Sequence, residues 1–143
     1  MNEFYKKNII SVRDLDKQKL ELIFDATDKI IDMSQDKRRE IARGKTLGYL
    51  FFEPSTRTRL SFESAIALLG GTSLGIADAT SSSIHKGETL GDTVKVISSY
   101  CDVLVLRHSL DGSSRFAAEI SNKPVINAGS GTEEHPTQTI QDL

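Results

Sequence analysis

The chain has 143 residues, of which 38% are hydrophobic and 27% charged, with a net charge of −2. That length is a prior for one domain, large enough to bury a core without disulfides, and the near-neutral charge gives no reason to expect a nucleic-acid or membrane surface. Cys101 is the one cysteine, which excludes an internal disulfide; no apolar run approaches the roughly 20 residues of a membrane span, and the start Met1–Lys7 lacks an apolar signal region, so a cytoplasmic location is the expectation.

Charge is unevenly spread. Up to Lys45 there are 11 basic and 9 acidic residues, and afterwards 7 basic against 11 acidic. The first stretch reads as a solvated amphipathic helix, with Leu20, Ile23, Phe24, Thr27, Ile30 and Ile31 tracing one face. Beyond it, in an acidic background, Arg57, Arg59, Lys86 and Arg107 are candidates for a specific anion site.

From about Thr46 the pattern alternates between short apolar runs and helical periodicity. A strand at about 46–52 runs into a helix at about 56–69, where Phe62, Ala65, Ile66 and Leu69 fall on one face and Gly70-Gly71 supplies the stop. Between strand and helix lies Glu53-Pro54-Ser55-Thr56-Arg57-Thr58-Arg59. The first N–H groups of a helix lack partners and its dipole favours negative charge; hydroxyls add donors, and arginine adds a planar fork that matches phosphate oxygens. An N-cap followed by solvated arginines accounts for one or two of these residues, whereas a cradle for phosphate or carboxylate accounts for the run.

A weaker strand at 72–76 precedes the small, polar segment 77–88. It contains Ser81-Ser82-Ser83 and Lys86, and reads either as a solvated loop or as a contact arm. A helix at about 90–100 follows, with Leu90, Val94, Ile97 and Cys101 in phase, which makes Cys101 a buried small hydrophobe. Val103–Leu106 is a continuous apolar run, as in a buried parallel strand, followed at once by Arg107-His108. A helix at 112–121, a strand at 124–127, the turn Asn127-Ala128-Gly129-Ser130-Gly131-Thr132 and a last helix from His135 complete the chain. Pro136 suits a first helical turn, and His135 and Gln138, three apart, share a face.

This order argues for an α/β fold: a doubly wound, open sheet of about four parallel strands with helices on both faces, preceded by an N-terminal helix. Ligands of such sheets bind beyond the carboxyl ends of the strands, and Ser55–Arg59, Arg107 and His135 all follow strands on that edge. There is no phosphate-binding P-loop, no dinucleotide fingerprint, no nucleophile elbow and no metal-ligand spacing.

The run Phe51–Glu63, then Lys86-Gly87-Glu88-Thr89-Leu90, then Arg107-His108, then His135-Pro136-Thr137-Gln138 resembles, in order and interval, the carbamoyl-phosphate half of the aspartate and ornithine carbamoyltransferases. Glu53-Pro54 and the Lys-Gly-Glu-Thr-Leu segment are most similar to the aspartate branch. The resemblance implies transfer of a carbamoyl group from carbamoyl phosphate to the amine of L-aspartate, in pyrimidine synthesis, with no metal or cofactor. It implies that Ser55, Thr56, Arg57 and Thr58 hold the phosphate, that Arg107 helps neutralise it, that Arg107, Thr58 and His135 polarise the carbonyl oxygen, and that Gln138 meets the carbamoyl NH2. It further implies that Ser82 and Lys86 reach into a neighbouring subunit's site in a homotrimer, that Arg59 is structural, and that Glu53 bridges to a second domain on closure.

That second, amino-acid-binding domain has no counterpart in these residues. Residues 1–143 are therefore expected to be the carbamoyl-phosphate-binding domain, inactive or nearly so by itself, with a regulatory chain left open as a further partner. Two alternatives stand: a stand-alone carbamoyl-phosphate-binding or trimer-forming module without turnover, and the corresponding half of an ornithine enzyme.

Overall fold

The computed structural model describes residues 3–77, 87–132 and 134–143. Two helices open the chain, α1 (Lys17–Asp32) and α2 (Gln35–Ile41). Then strands and helices alternate: β1 (Thr46–Phe51), α3 (Thr56–Leu68), β2 (Thr72–Ile76), α4 (Leu90–Tyr100), β3 (Val103–His108), α5 (Ser113–Ile120), β4 (Val125–Ser130) and α6 (Pro136–Asp142). All described strand pairings are parallel, in the order β2-β1-β3-β4. The fold is thus the α/β open sheet expected from the sequence.

Side-chain alternation along the strands divides the core in two. Leu50, Leu104, Leu106 and Val125 pack with Val94 of α4 and Ala117 of α5 on one face. Leu47, Phe51, Val105 and Ala128 pack on the other, where Phe62 and Ile66 of α3 cover them. Helices therefore lie on both faces, and α3 shares its face with the odd-numbered residues of β1 and β3. Arg107, two residues beyond Val105, is on that face as well.

The structure refines several boundaries. Strand β3 continues two residues beyond its apolar run, through Arg107 and His108, and β4 extends to Ser130. Helix α2 was not anticipated; its sequence QDKRREI carries one apolar position near its end and no apolar period. Helix α1 forms where expected, from an Asp16 cap that accepts from the Lys19 N–H, but none of its residues is buried, and Ile31 is 64% exposed. Gly70 takes a φ of 87° just past α3, the left-handed turn that glycine permits at a helix end. Cys101 is buried among apolar side chains, and that burial pushes its thiol pKa up. The N-terminal segment closes the outer edge of β4: Ile9 N–H donates to Val125 O, and Asn127 N–H to Ile9 O. That covers an otherwise open row of backbone groups.

One irregularity shapes the functional edge. Between β3 and β4 the register runs Leu106 with Asn127 and then His108 with Ser130, so β4 carries an extra residue. Such bulges bend a strand and re-aim its groups. Gly129, at φ 121°, lies within it.

Candidate functional site

Helix α3 starts directly beyond β1. Ser55 is its N-cap residue, but its hydroxyl makes no capping hydrogen bond, so it is not used up in holding the helix. Thr56, Arg57 and Thr58 form the first turn, whose amides point outward from the helix start. Arg59 faces differently: its Nη1 donates to Glu63 Oε1 at 3.0 Å, an intrahelical ion pair that spends its charge away from the helix end.

Arg107, on β3, is held from two sides. Its Nε donates to Glu53 Oε2 at 3.3 Å, and its Nη1 to the Ala128 carbonyl at 3.3 Å. The bulge in β4 turns that carbonyl toward the guanidinium. Gly129 belongs to the same arrangement. A Cβ there would sit 3.4 Å from Arg107 Nη1 and 3.6 Å from the His135 ring, and its φ already excludes most other residues.

Asn127 braces the turn that carries His135. Its Oδ1 accepts from Gly129 N–H at 2.8 Å and Ser114 Oγ at 3.0 Å; its Nδ2 donates to Ile10 O at 2.9 Å and Glu134 O at 3.4 Å. Glu134 in turn accepts from Val12 N–H at 2.8 Å. His135 is the N-cap of α6, with Pro136 following as the first helical residue. Its Nδ1 accepts from Gln138 N–H at 3.3 Å and lies 3.2 Å from Thr137 Oγ1. Its Nε2 is buried and has no hydrogen-bond partner among the described residues. Burial, and then the Arg107 charge, hold the His135 pKa below the usual imidazole range. The ring is therefore neutral at pH 7, with Nδ1 as acceptor and Nε2–H as donor.

These side chains line one cleft of about 590 Å³ at the carboxyl edge of the sheet. Arg57, Thr58, Arg107, His135 and Gln138, singled out from the sequence, all face it, together with Ser61, Phe62, Thr137 and Gln141. Ser55 and Thr56 stand at the same helix start but outside this lining. Ser82 and Lys86 lie outside the described residues. Sequence reasoning assigned none of the other four to the site, and it placed Phe62 on the apolar face of its helix, where it does pack against the core. Ser61, one turn after Arg57, and Gln141, three after Gln138, were accessible from helical spacing. Thr137 was not, because its contact with the preceding imidazole depends on the cap geometry.

His108 has a different setting. Its ring packs against Phe52 with centroids 4.9 Å apart, its Nδ1 accepts from Leu110 N–H, and burial lowers its pKa. Among the described residues no group of His, Cys, Asp or Glu side chains could hold a metal ion.

An open parallel sheet whose carboxyl edge gathers two guanidiniums, a helix start, a hydroxyl and a neutral imidazole donor defines an oxyanion-binding α/β domain. The chain belongs to the aspartate/ornithine carbamoyltransferase family: the profile of its carbamoyl-P binding domain matches residues 7–143. Similar curated proteins include the aspartate carbamoyltransferase catalytic subunits of Nitrosopumilus maritimus, 71% identical, and Cenarchaeum symbiosum, 68% identical, each over all 143 residues. The chain spans about half the length of these relatives, 46% in both cases. Among solved structures, the catalytic subunit of M. jannaschii aspartate transcarbamoylase is 47% identical, with a TM-score of 0.88 over 96% of this chain and 45% of that one. Aspartate transcarbamoylase from Trypanosoma cruzi in complex with carbamoyl phosphate and aspartate is 36% identical, with a TM-score of 0.84 over 97% of this chain and 46% of that one.

Proposed function

We propose that this chain is the carbamoyl-phosphate half of an aspartate carbamoyltransferase. The observation that carries the reading is the buried, unpartnered His135 Nε2 in a cleft shared with Arg57, Thr58 and Arg107. A phosphate alone would call for the arginines. A neutral donor beside them suits a second oxygen, the carbonyl of a carbamoyl group.

In this reading the first turn of α3 and the guanidiniums of Arg57 and Arg107 take the phosphate, with Ser55 and Thr56 adding donors at the helix start. Thr58, Arg107 and His135 Nε2–H face the carbonyl oxygen, and Gln138 the carbamoyl NH2. The aspartate amine attacks the carbamoyl carbon, and a C–N bond forms while negative charge builds on the carbonyl oxygen. Donors already in place for that charge lower the barrier, each typically raising the rate by about 10²–10³-fold. Collapse breaks the C–O bond to phosphate, which leaves with the proton given up by the amine. Holding two substrates in register contributes as well.

The amino-acid half of the site is supplied from outside these 143 residues, a reading supported by relatives about twice as long. The same reading extends to a cytoplasmic homotrimer in which Ser82 and Lys86 serve a neighbour's site, and it leaves a regulatory chain as a further partner. Relatives at 71% and 68% identity that are aspartate carbamoyltransferases speak against the ornithine alternative.

Calorimetric titration tests the core of this. The 143-residue chain is expected to bind carbamoyl phosphate more tightly than inorganic phosphate, and to form no N-carbamoyl-aspartate when aspartate is added. Equal affinity for the two ligands would remove the carbonyl-recognition half of the reading.

A further inference from the structure

We propose that Thr137 is a positioning residue: its hydroxyl, donating to His135 Nδ1, fixes the tautomer and orientation of the imidazole so that Nε2–H is aimed into the cleft.

The geometry selects one arrangement. His135 Nδ1 faces two groups, Gln138 N–H at 3.3 Å and Thr137 Oγ1 at 3.2 Å. A backbone N–H can only donate, so Nδ1 is an acceptor, and the ring proton of the neutral imidazole is on Nε2. The hydroxyl, which can rotate, then donates as well. It is not redundant. The Gln138 N–H is shared with the His135 carbonyl, to which it is nearer at 3.0 Å, so the amide alone is a weak lock. Thr137 is half-buried at the second position of α6, where β-branching restricts its χ1. On the far side of the ring lies Gly129, where a Cβ would stand in ordinary contact with His135 Cδ2 at 3.6 Å. The ring is thus bounded by Gly129 on one side and by Thr137 and Gln138 at Nδ1, and its buried Nε2 is the ring nitrogen left without a hydrogen-bond partner among the described residues. The charged groups on this cleft are Arg57 and Arg107, and the Arg107 charge disfavours an imidazolium. Partners on the remote nitrogen set the reactive one in metal sites, and the same logic operates here with a carbonyl oxygen as the target.

This rests on the carbamoyl-phosphate reading only for the identity of that oxygen, so the test separates the two. Long-range proton–nitrogen spectra of the 15N-labelled chain read the state of both His135 nitrogens, with His135→Asn providing the assignment. Titrations use inorganic phosphate and phosphonoacetamide, a stable carbamoyl phosphate analogue. The wild type is expected to show an unprotonated, hydrogen-bonded Nδ1. Thr137→Val should move the Nδ1 resonance downfield, as when an imidazole lone pair loses a donor. It should also weaken phosphonoacetamide by about fivefold, the worth of one ordinary hydrogen bond, with phosphate unaffected. Thr137→Ser should restore both. A protonated Nδ1 in the wild type overturns the proposal, and so does a valine variant in which either the resonance or the affinity ratio is unchanged. Failure of the wild type to bind either ligand would instead sink the carbamoyl-phosphate reading, while the Nδ1 resonance still decides the role of Thr137.

Discussion

Arg107 and Glu53 form an ion pair at the carboxyl edge of the sheet, Nε to Oε2 at 3.3 Å, with both side chains about two-thirds or more buried (25% and 32% exposed). The pair joins the end of β3 to the segment between β1 and α3. It means that the guanidinium offered to an anion is already partly engaged by a carboxylate. An incoming phosphate competes with Glu53 for the same donor.

Removing that competitor is expected to help binding. Glu53→Gln keeps a side chain of the same length but discards the charge, so phosphate affinity should rise by a few-fold, roughly the worth of a partly exposed ion pair. Calorimetry with inorganic phosphate checks this. A lower affinity would mean that Glu53 orients Arg107 more than it competes for it.

Arg57 has no such internal partner among the hydrogen bonds and ion pairs described, and it stands in the first turn of α3. Arg57→Ala should weaken phosphate and carbamoyl phosphate alike by about 10- to 100-fold, the range for a hydrogen bond to a charged group. The circular dichroism melt should be unchanged, because the side chain is exposed. Unaltered affinity would remove Arg57 from the site.

Asn127 is a structural counterpart to these binding residues. Nearly all of it is buried, at 3% exposure, and its amide serves donors and acceptors on four segments. Asn127→Leu would leave the Gly129 N–H and the Ile10 carbonyl short of partners, at about 1–3 kcal/mol each. A loss of roughly 3 kcal/mol in denaturant unfolding is the expected result. A change below 1 kcal/mol would show that the turn bearing His135 is braced elsewhere.

Stability should also depend on pH in a defined direction. Burial lowers the pKa of both His108 and His135 from 6.5. The unfolded chain therefore takes up protons at higher pH than the folded one. The contribution of these neutral rings is fully present above the unfolded value and is lost as pH falls from about 6.5 toward the lowered folded values. His135→Asn separates the two, since asparagine caps helices well without titrating. Denaturation midpoints at pH 7.5 and 5.5 should differ less in this variant than in the wild type.

Much of this was open to reading in the sequence. Periodicity located β1, β3 and β4 and the helices that flank them because these strands are buried and their apolar runs are strong, whereas β2, an edge strand with no buried residue, gave only a weak signal. Helix α2 escaped because it buries no residue and has no apolar stripe. The residues on the cleft that the motifs name, Arg57, Thr58, Arg107, His135 and Gln138, carry the chemistry in their own side chains. Thr137, the Ala128 carbonyl and the Arg107–Glu53 pair were not legible. Each depends on where the bulge in β4 and the cap of α6 direct a polar group, which no spacing rule encodes.

The most direct test of the central claim is an amide chemical-shift titration of the 15N-labelled chain with phosphonoacetamide. The account predicts shifts concentrated at 55–58, at Arg107 and at 135–138, with inorganic phosphate reproducing those at 55–58 and Arg107 but not those at 135–138. Identical patterns for the two ligands, or shifts away from this edge of the sheet, would contradict it.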